Sequence, residues 1–400
     1  MRSGTVSTVT REAARRLLVA HLGLGAPLGV GDAGIVDTLA RLRCIQLDPL
    51  DPMGTNADLV VLARVDGALR GNVHRALRGH AFEHFAKERC LVPRERFAEY
   101  LTLTAATPWW RSGLRESRVP ESVVTAVADA LREHGPCTAD ELPDFGAVEP
   151  LDWSGWKGTA RATAMALEIL WLRCQAVVVG RDPAGRKLWE PGARAFAEAR
   201  AGESEDAAWA RLLEDRVQAA GLLAHAGGAH WSMLAPVRGR AAGLLAHLGG
   251  QYDEVRVEGA TRTYFVRVGA FDAPPPEPDD RLRILGPLDP LLWDRKLVND
   301  VFEFEYVWEV YKPPATRRWG WYVCPLLHRG ALVGRLEGRV VREAEPRLEI
   351  TTVWEERKGS VDRRALRRAL QRHATACGAG AFSIGEWRSP AGKRAAPRPA

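Results

Sequence analysis

The stretch Gln175–Pro191, QAVVVGRDPAGRKLWEP, decides the fold that this sequence predicts. It has a run rich in β-branched residues, a polar Asp-Pro-Ala-Gly turn and a second strand. Three helical segments precede it: residues 121–134, a short segment capped by Thr138, and residues 158–174. Three helices followed by a two-stranded hairpin is the order of a winged helix, a variant of the helix-turn-helix.

The same order of elements recurs loosely further along the chain, without repetition of the residues. A predicted helix over 206–219 is followed by HWSMLAP, a second helix over 239–248 and the hairpin YDEVRVEGATRTYFVRV. The first hundred residues read as mainly helical, and the last hundred as strands of alternating apolar and polar residues closed by a basic helix. We therefore expect the α+β class, with tandem winged-helix units and a C-terminal β-rich domain.

The proposed boundaries follow the composition, including the proline-rich linker DAPPPEPDD at 272–280. We expect three winged-helix domains, over residues 1–115, 116–202 and 203–275. A β-rich domain with a basic hairpin follows over 281–390, and a disordered tail over 391–400.

Composition narrows the function only in part. The net charge of +6 and pI of about 9.1 are compatible with nucleic acid but do not identify a partner. None of the six cysteines forms a C-x-x-C pair, which is typical of reduced intracellular thiols. No signal peptide and no run of 18 apolar residues is evident. We expect a cytoplasmic, nucleoid-associated monomer without a membrane partner.

One candidate site lies in LRCIQLDPL, where Gln46 and Asp48 flank Leu47 directly before a proline. In an extended segment, residues two apart share a face about 7 Å from each other. The amide and the carboxylate would then flank one small target, such as a water beside a sugar carbon. The alternative interpretation is an Asp that caps a turn and an exposed Gln.

A competing motif, His80-Ala81-Phe82-Glu83-His84, matches the inverted zinc-peptidase signature H-x-x-E-H in a predicted helical context. Two His at i and i+4 of a helix can share a metal, with the Glu as general base. The alternative is an ordinary amphipathic helix.

A third candidate, KPPATRRWGW at 312–321, reads as a basic, aromatic hairpin tip between two strands. Such a tip can enter a DNA groove, with Lys312, Arg317 and Arg318 on phosphates or in the minor groove and Trp319 as an apolar wedge. The alternative is a solvent-exposed loop.

Several segments together resemble one family, the winged-helix alkylpurine DNA glycosylases of the AlkZ and YcaQ group. LRCIQLDPL is similar to the Q-φ-D form of the family's motif, and AFEHFAKERCLVPRERFAEY to a segment that usually reads F-E-Y-W-A-H-E followed by L-P. The stretch from ILGPLDPLLWDRKL onwards looks like the C-terminal signature. The resemblance covers roughly residues 8–384.

The resemblance implies three winged-helix units around a DNA-sized channel and monofunctional removal of N7-alkylated purines. For Q-φ-D members it also implies unhooking of interstrand crosslinks. This chain departs from the family where the usual His is Lys87, and where a histidine-containing stretch is GTNADL, with Asn56 and Asp58. We expect Asn56 to contact DNA and the choice of lesion to be shifted, for example towards bulky adducts.

The chemistry of such a substrate suits the residues. An N7-alkylated purine is cationic, so its glycosidic bond is already weak. Asp48 is expected to stabilise the oxocarbenium-like sugar and activate water, and Gln46 to position that water and the sugar. No cofactor, metal or lyase lysine is required. The expected partner is double-stranded DNA carrying alkylated purines. The alternative function is a winged-helix transcriptional regulator without catalysis.

Overall fold

The computed structural model describes residues 6–106, 112–151, 158–202, 204–249 and 251–389. The tail predicted at 391–400 lies outside these residues. In the N-terminal part, Thr10 begins the first helix because its side chain accepts a hydrogen bond from the Ala13 N–H. The elements of this part are β1 (Ser7–Val9), α1 (Arg11–His21), α2 (Gly31–Leu42), β2 (Ile45–Gln46), α3 (Asn56–Leu62), α4 (Val73–Ala76), β3 (Ala81–Phe85), β4 (Arg89–Pro93), α5 (Phe97–Ala106) and α6 (Ser112–Glu116).

The mainly helical character predicted for this part is wrong at one place. Residues 81–93 form an antiparallel hairpin, and β2 adds to it to give a sheet of order β2-β4-β3. Phe82 and Phe85 are three residues apart, a spacing that one face of a helix also has. In the structure they belong to a strand that is buried over most of its length, where helical spacing and strand burial look alike in sequence.

The middle of the chain follows the predicted order. Helix α7 (Glu121–His134) is followed by a short 3₁₀ helix (Ala139–Glu141), α8 (Ala162–Leu172) and the antiparallel hairpin of β7 (Ala176–Arg181) and β8 (Lys187–Pro191). Thr138 and Glu141 form a capping box on the 3₁₀ helix. Two short strands, β5 (Ala147–Val148) and β6 (Ala160–Arg161), pair beside it, and α9 (Gly192–Ala195) ends the unit.

The third unit shares a sheet with the very start of the described chain. Its elements are α10 (Glu205–Ala220), β9 (Leu223–Ala224), a 3₁₀ helix (Ser232–Arg240), α11 (Ala241–Ala246), β10 (Tyr252–Val257) and β11 (Thr263–Arg267). Strand β1 pairs in parallel with β10, which gives the order β1-β10-β11-β9. The first and third units are therefore joined by main-chain hydrogen bonds.

The C-terminal part is a five-stranded sheet in the order β12-β13-β14-β15-β16, with one helix against it. Its elements are β12 (Arg283–Ile284), a 3₁₀ helix (Pro290–Leu292), α12 (Arg295–Phe302), a 3₁₀ helix (Pro314–Thr316), β13 (Val323–His328), β14 (Ala331–Val341), β15 (Arg347–Glu355), α13 (Arg363–Ala376) and β16 (Ala381–Arg388). The α+β class is confirmed, whereas tandem winged helices and the domain boundaries stay predictions. None of the described helices is long and apolar enough to cross a membrane.

Candidate active site and nucleic-acid interface

Asp48 sits where a strand leaves the sheet and the chain turns. Strand β2 pairs with β4, and the Leu47 N–H extends this pairing to the Arg89 carbonyl oxygen (2.8 Å). The chain then turns at a proline, and Asp48 Oδ1 accepts a hydrogen bond from the Leu50 N–H (3.0 Å). Burial raises the pKa of Asp48, and the bond from Leu50 opposes this only in part. Asp48 is therefore a more basic carboxylate than an exposed one.

Asp48 lies on the wall of a cavity of about 920 Å³, which we call the Asp48 cleft. Its volume is in the range of sites that take organic ligands. Five cationic side chains and three carboxylates line it. The lining residues are Leu47, Asp48, Pro49, Thr55, Gly71, His74, Arg75, Arg78, Glu83, Arg89, Arg181, Asp182, Pro183, Gly185 and Lys187.

The tip of the β7–β8 hairpin forms one side of this cleft, and buried carboxylates anchor it. Glu168 on α8 accepts hydrogen bonds from Arg89 (2.5 Å) and Lys187 (2.8 Å). Burial alone would raise the pKa of Glu168, but these two charges outweigh it and hold the pKa at about 2. Arg181 at the end of β7 pairs with Glu83 on β3. The hairpin is thus held over the N-terminal sheet by charge pairs.

Gln46 does not lie on the cleft wall. The register of the sheet places Gln46 opposite Cys90 and His84 opposite Cys90, so these three side chains share one face. Glu83 and Leu91 belong to the other face. Gln46 is only 6 % exposed, and its Oε1 accepts no hydrogen bond from the described residues. A role for Gln46 in positioning water stays a prediction.

The side chain of Asn56 is fully buried and bonded within the protein, and its contact with DNA stays a prediction. Asn56 Nδ2 donates to the Gln46 carbonyl oxygen (2.8 Å), and Oδ1 accepts from the Leu288 N–H (3.2 Å). Asp58, which lies in the same GTNADL stretch, forms a capping box with Thr55 at the start of α3. Both residues serve the structure of the loop that follows Asp48.

The H-x-x-E-H match is a strand, so its two histidines do not share a helical face. Adjacent positions of a strand point to opposite faces, which separates Glu83 from His84. His84 is buried among aromatic rings, 4.5 Å from Tyr100 and 4.9 Å from Trp171 between ring centroids. Burial, reinforced by Arg89, lowers the pKa of His84 to about 3. Within the described residues no group of three or more potential metal ligands occurs. The zinc-peptidase interpretation required both histidines on one face of a helix, and the segment is not a helix.

The segment 312–321 is a loop before β13 and not a hairpin tip, because residues 303–309 form no strand. Trp319 is half-buried, with the guanidinium of Arg335 4.1 Å from its ring centroid, and its role as an apolar wedge stays a prediction. Arg318 is exposed but pairs with Glu305 (3.1 Å), and Lys312 pairs with Glu309 (2.8 Å). Their contacts with phosphate stay predictions.

Arg317 differs from Lys312 and Arg318 in its ion pairing. Its Nε–H donates to the Lys312 carbonyl oxygen (2.9 Å), and it forms no ion pair with any described carboxylate. The most exposed aromatic side chain of the loop is Tyr311, at 87 %. Trp308 contacts Tyr311 and Tyr322, with centroids 5.7 and 6.4 Å away.

The residues on either side of this loop pack near the segment that follows Asp48. Trp308 and Tyr322 belong to the same apolar cluster as Leu50 and Met53. Sequence analysis overlooked Tyr311, because one tyrosine in a polar loop carries no signal of its exposure.

Sequence analysis also missed the cationic rim of the cleft, formed by Arg75, Arg78, Arg181 and Lys187. A signal was present for the last two: they flank the turn of the β7–β8 hairpin, which is the wing in the predicted winged helix. Nothing in the sequence shows that this wing faces Asp48.

The chain is similar to DNA glycosylases both in sequence and in fold. The family described as "DNA glycosylase AlkZ-like" matches residues 39–376. Among solved structures, the chain is similar to the Streptomyces sahachiroi DNA glycosylase AlkZ, with a TM-score of 0.59 and 18 % identity. The match covers 95 % of this chain and 100 % of that one. At this identity the structural match concerns the fold, whereas the family match covers most of the chain.

Proposed function

Because this chain belongs to the AlkZ-like DNA glycosylase family, we propose that it hydrolyses the N-glycosidic bond of N7-alkylated purines in double-stranded DNA. The observation that carries this proposal is the position of Asp48. It is a half-buried carboxylate on the wall of a 920 Å³ cleft that also holds five cationic side chains. One surface thus combines a group that stabilises a sugar cation with groups that bind phosphate.

Asp48 performs the chemical step. The alkylated base is a cationic leaving group, so bond breaking develops positive charge on the sugar. A carboxylate in a partly desolvated site stabilises that charge more strongly than one in water, because the local dielectric is lower. Its raised pKa also makes it a better general base towards the attacking water. After reaction, the water's proton is on Asp48 and the base leaves with the bonding electrons.

The cations of the rim bind the DNA backbone. Arg78 is exposed and forms no ion pair with any described carboxylate, so its charge is free for a phosphate. Arg75 pairs with an exposed Asp32 (3.1 Å), an interaction that contributes little in water and exchanges readily for phosphate.

Bulky adducts and crosslinks extend the same proposal. The cleft is larger than a single purine requires, and the exposed ring of Tyr311 is a second feature that suits such substrates. An exposed aromatic ring inserts between base steps or stacks on an unpaired base. We propose Tyr311 for the wedge role and Gln46 for a secondary role, since its side chain must turn out of the core to reach the sugar.

The test is release of bases from oligonucleotides that carry single alkylated purines, in buffer with chelator. The wild-type protein is expected to leave abasic sites at 7-methylguanine. Asp48→Asn should lower the single-turnover rate by about 10²–10⁴-fold. The matched control is Asp253→Asn, which removes an exposed carboxylate on β10 outside the cleft and should leave the rate unchanged. Full activity of Asp48→Asn would refute the assigned role.

A further inference from the structure

Glu83 is the most enclosed acidic group of the Asp48 cleft. Its side chain is 1 % exposed, yet it forms part of the cleft wall. Neither carboxylate oxygen accepts a hydrogen bond from the described residues. Buried polar groups without hydrogen bonds are rare and costly, and a functional role, a bound ion or an ordered water is the usual reason for them.

Cations surround this carboxylate without satisfying it. Arg181 contacts Oε1 outside hydrogen-bond geometry, and Arg89 Nη1 and His74 Nδ1 each lie 3.9 Å from a carboxylate oxygen. Arg89 Nη1 is itself a buried donor without a hydrogen bond among the described residues. The charge of Glu83 is thus balanced: Arg181 covers Oε1, whereas Arg89 Nη1 stays 3.9 Å from Oε2.

The other two carboxylates of the wall are already engaged. Asp48 accepts from the Leu50 N–H. Asp182 accepts from the main chain and the guanidinium of Arg186, at 2.8 and 2.7 Å. Glu83 is therefore the wall carboxylate whose oxygens accept no hydrogen bond from the described residues, and a ligand that uses Oε1 displaces Arg181 from it.

The sheet sets the separation of Glu83 from the reacting bond. Strands β2, β4 and β3 are neighbours, so β3 runs about 10 Å from β2 across the sheet. Asp48 follows the end of β2, and Glu83 is the central residue of β3. With Asp48 at the sugar, a purine that enters the cleft would direct its far edge towards Glu83.

We propose that Glu83 reads the Watson–Crick edge of the extruded base and makes the enzyme prefer alkylated guanine over alkylated adenine. This inference rests on the proposed function. Guanine presents two adjacent donors, N1–H and N2–H, which match the two acceptor oxygens of a carboxylate. Adenine presents one donor beside the acceptor N1, which a carboxylate repels. Enzymes that extrude a base read it by hydrogen bonds to this edge.

The test uses DNA methylated with dimethyl sulfate, which carries both 7-methylguanine and 3-methyladenine. Glu83→Gln replaces one acceptor oxygen by a donor. It should lower the release of 7-methylguanine about ten- to hundredfold and that of 3-methyladenine at most about threefold. Arg181→Gln is the matched control, because it removes the ion-pair partner and leaves the carboxylate. It should lower the release of both bases by a similar factor.

The full chain serves for every arm, and thermal unfolding checks each variant. If Glu83→Gln does not fold, the double variant Glu83→Gln/Arg181→Gln removes both charges of the pair together and should show the same selective loss. Equal losses for the two bases, or a loss of 7-methylguanine release no greater than that of Arg181→Gln, would overturn the inference. A wild-type protein that releases neither base would instead refute the proposed function.

Discussion

Asn56 holds the main chain of Gln46 in place: its Nδ2–H donates to the Gln46 carbonyl oxygen across 2.8 Å. The other end of the same amide accepts from the Leu288 N–H, which belongs to the C-terminal part of the chain. The strand that leads to Asp48 is thus tied to the C-terminal domain through one buried side chain. The position of the proposed catalytic carboxylate depends on this link.

Asn56→Ala should destabilise the protein because it leaves a buried carbonyl oxygen and a buried N–H without partners. We expect a loss of about 1–3 kcal/mol in the free energy of unfolding, measured by urea titration. Asn299→Ala, at an exposed position of α12, should change it by no more than about 0.5 kcal/mol. Unchanged stability together with weaker DNA binding would restore the DNA contact predicted from sequence.

Glu168 should make the stability of the protein depend on pH in the acid range. Its pKa of about 2 in the folded state lies below its ordinary value of about 4.5. A carboxylate depressed in this way contributes stability above pH 4.5, and that contribution is lost as pH falls towards 2.

Glu168→Gln should therefore lower the stability at pH 7 by about 2 kcal/mol and flatten the decline between pH 4.5 and 2. Thermal unfolding across this range measures both effects. Glu190 on β8 forms no ion pair with a described residue. The control variant Glu190→Gln should therefore keep the acid dependence of the wild type. A decline between pH 4.5 and 2 that is as steep in Glu168→Gln as in the wild type would contradict the role of the Arg89 and Lys187 pairs.

Arg78→Ala should weaken DNA binding uniformly across sequences. Loss of one phosphate contact lowers the slope of log K against log salt by about 1. The control is Arg240→Ala, since Arg240 is exposed, pairs with Asp206 and lies outside the cleft. Fluorescence anisotropy with an undamaged duplex at several salt concentrations measures the slopes. A slope that Arg78→Ala leaves unchanged would remove Arg78 from the interface.

Local chemistry made several elements predictable to within a residue. Helix α7 begins directly after a proline and ends before Gly135, and β14 alternates between the two sides of its sheet. The helix caps at Thr10 and Thr138 were predictable for the same reason, because a cap depends on only three or four consecutive residues. The family resemblance is confirmed by the match over residues 39–376.

The prediction failed where burial, and not period, determined the local structure. Residues 306–312 alternate like a strand, but β12 and β14 already occupy both edges of β13. Tyr306 is instead buried, and its hydroxyl donates to the Val323 carbonyl oxygen (2.8 Å). The helical prediction for residues 80–88 failed because a strand buried on both faces has no polar alternation to reveal it.

Of the side chains predicted for the site, only Asp48 lies on the wall of the cleft. The cleft wall brings Glu83 to Arg181, 98 positions later in the chain, and Trp308 and Tyr322 pack in one apolar cluster with Leu50. Such juxtapositions are set by tertiary packing, which a single sequence does not display. The same reason applies to Asn56. Its sequence position after the motif does not show whether its side chain contacts DNA or forms buried hydrogen bonds within the protein.

The central claim is that Asp48 faces the deoxyribose of the damaged nucleotide. A structure of the Asp48→Asn variant bound to a duplex with 7-methylguanine measures this directly, because the variant should bind without cleaving. The account predicts C1′ of the lesion at the side chain of position 48, with one water between them and room for attack at about 3–3.5 Å. A lesion bound elsewhere on the protein, or position 48 turned away from the sugar, would contradict it.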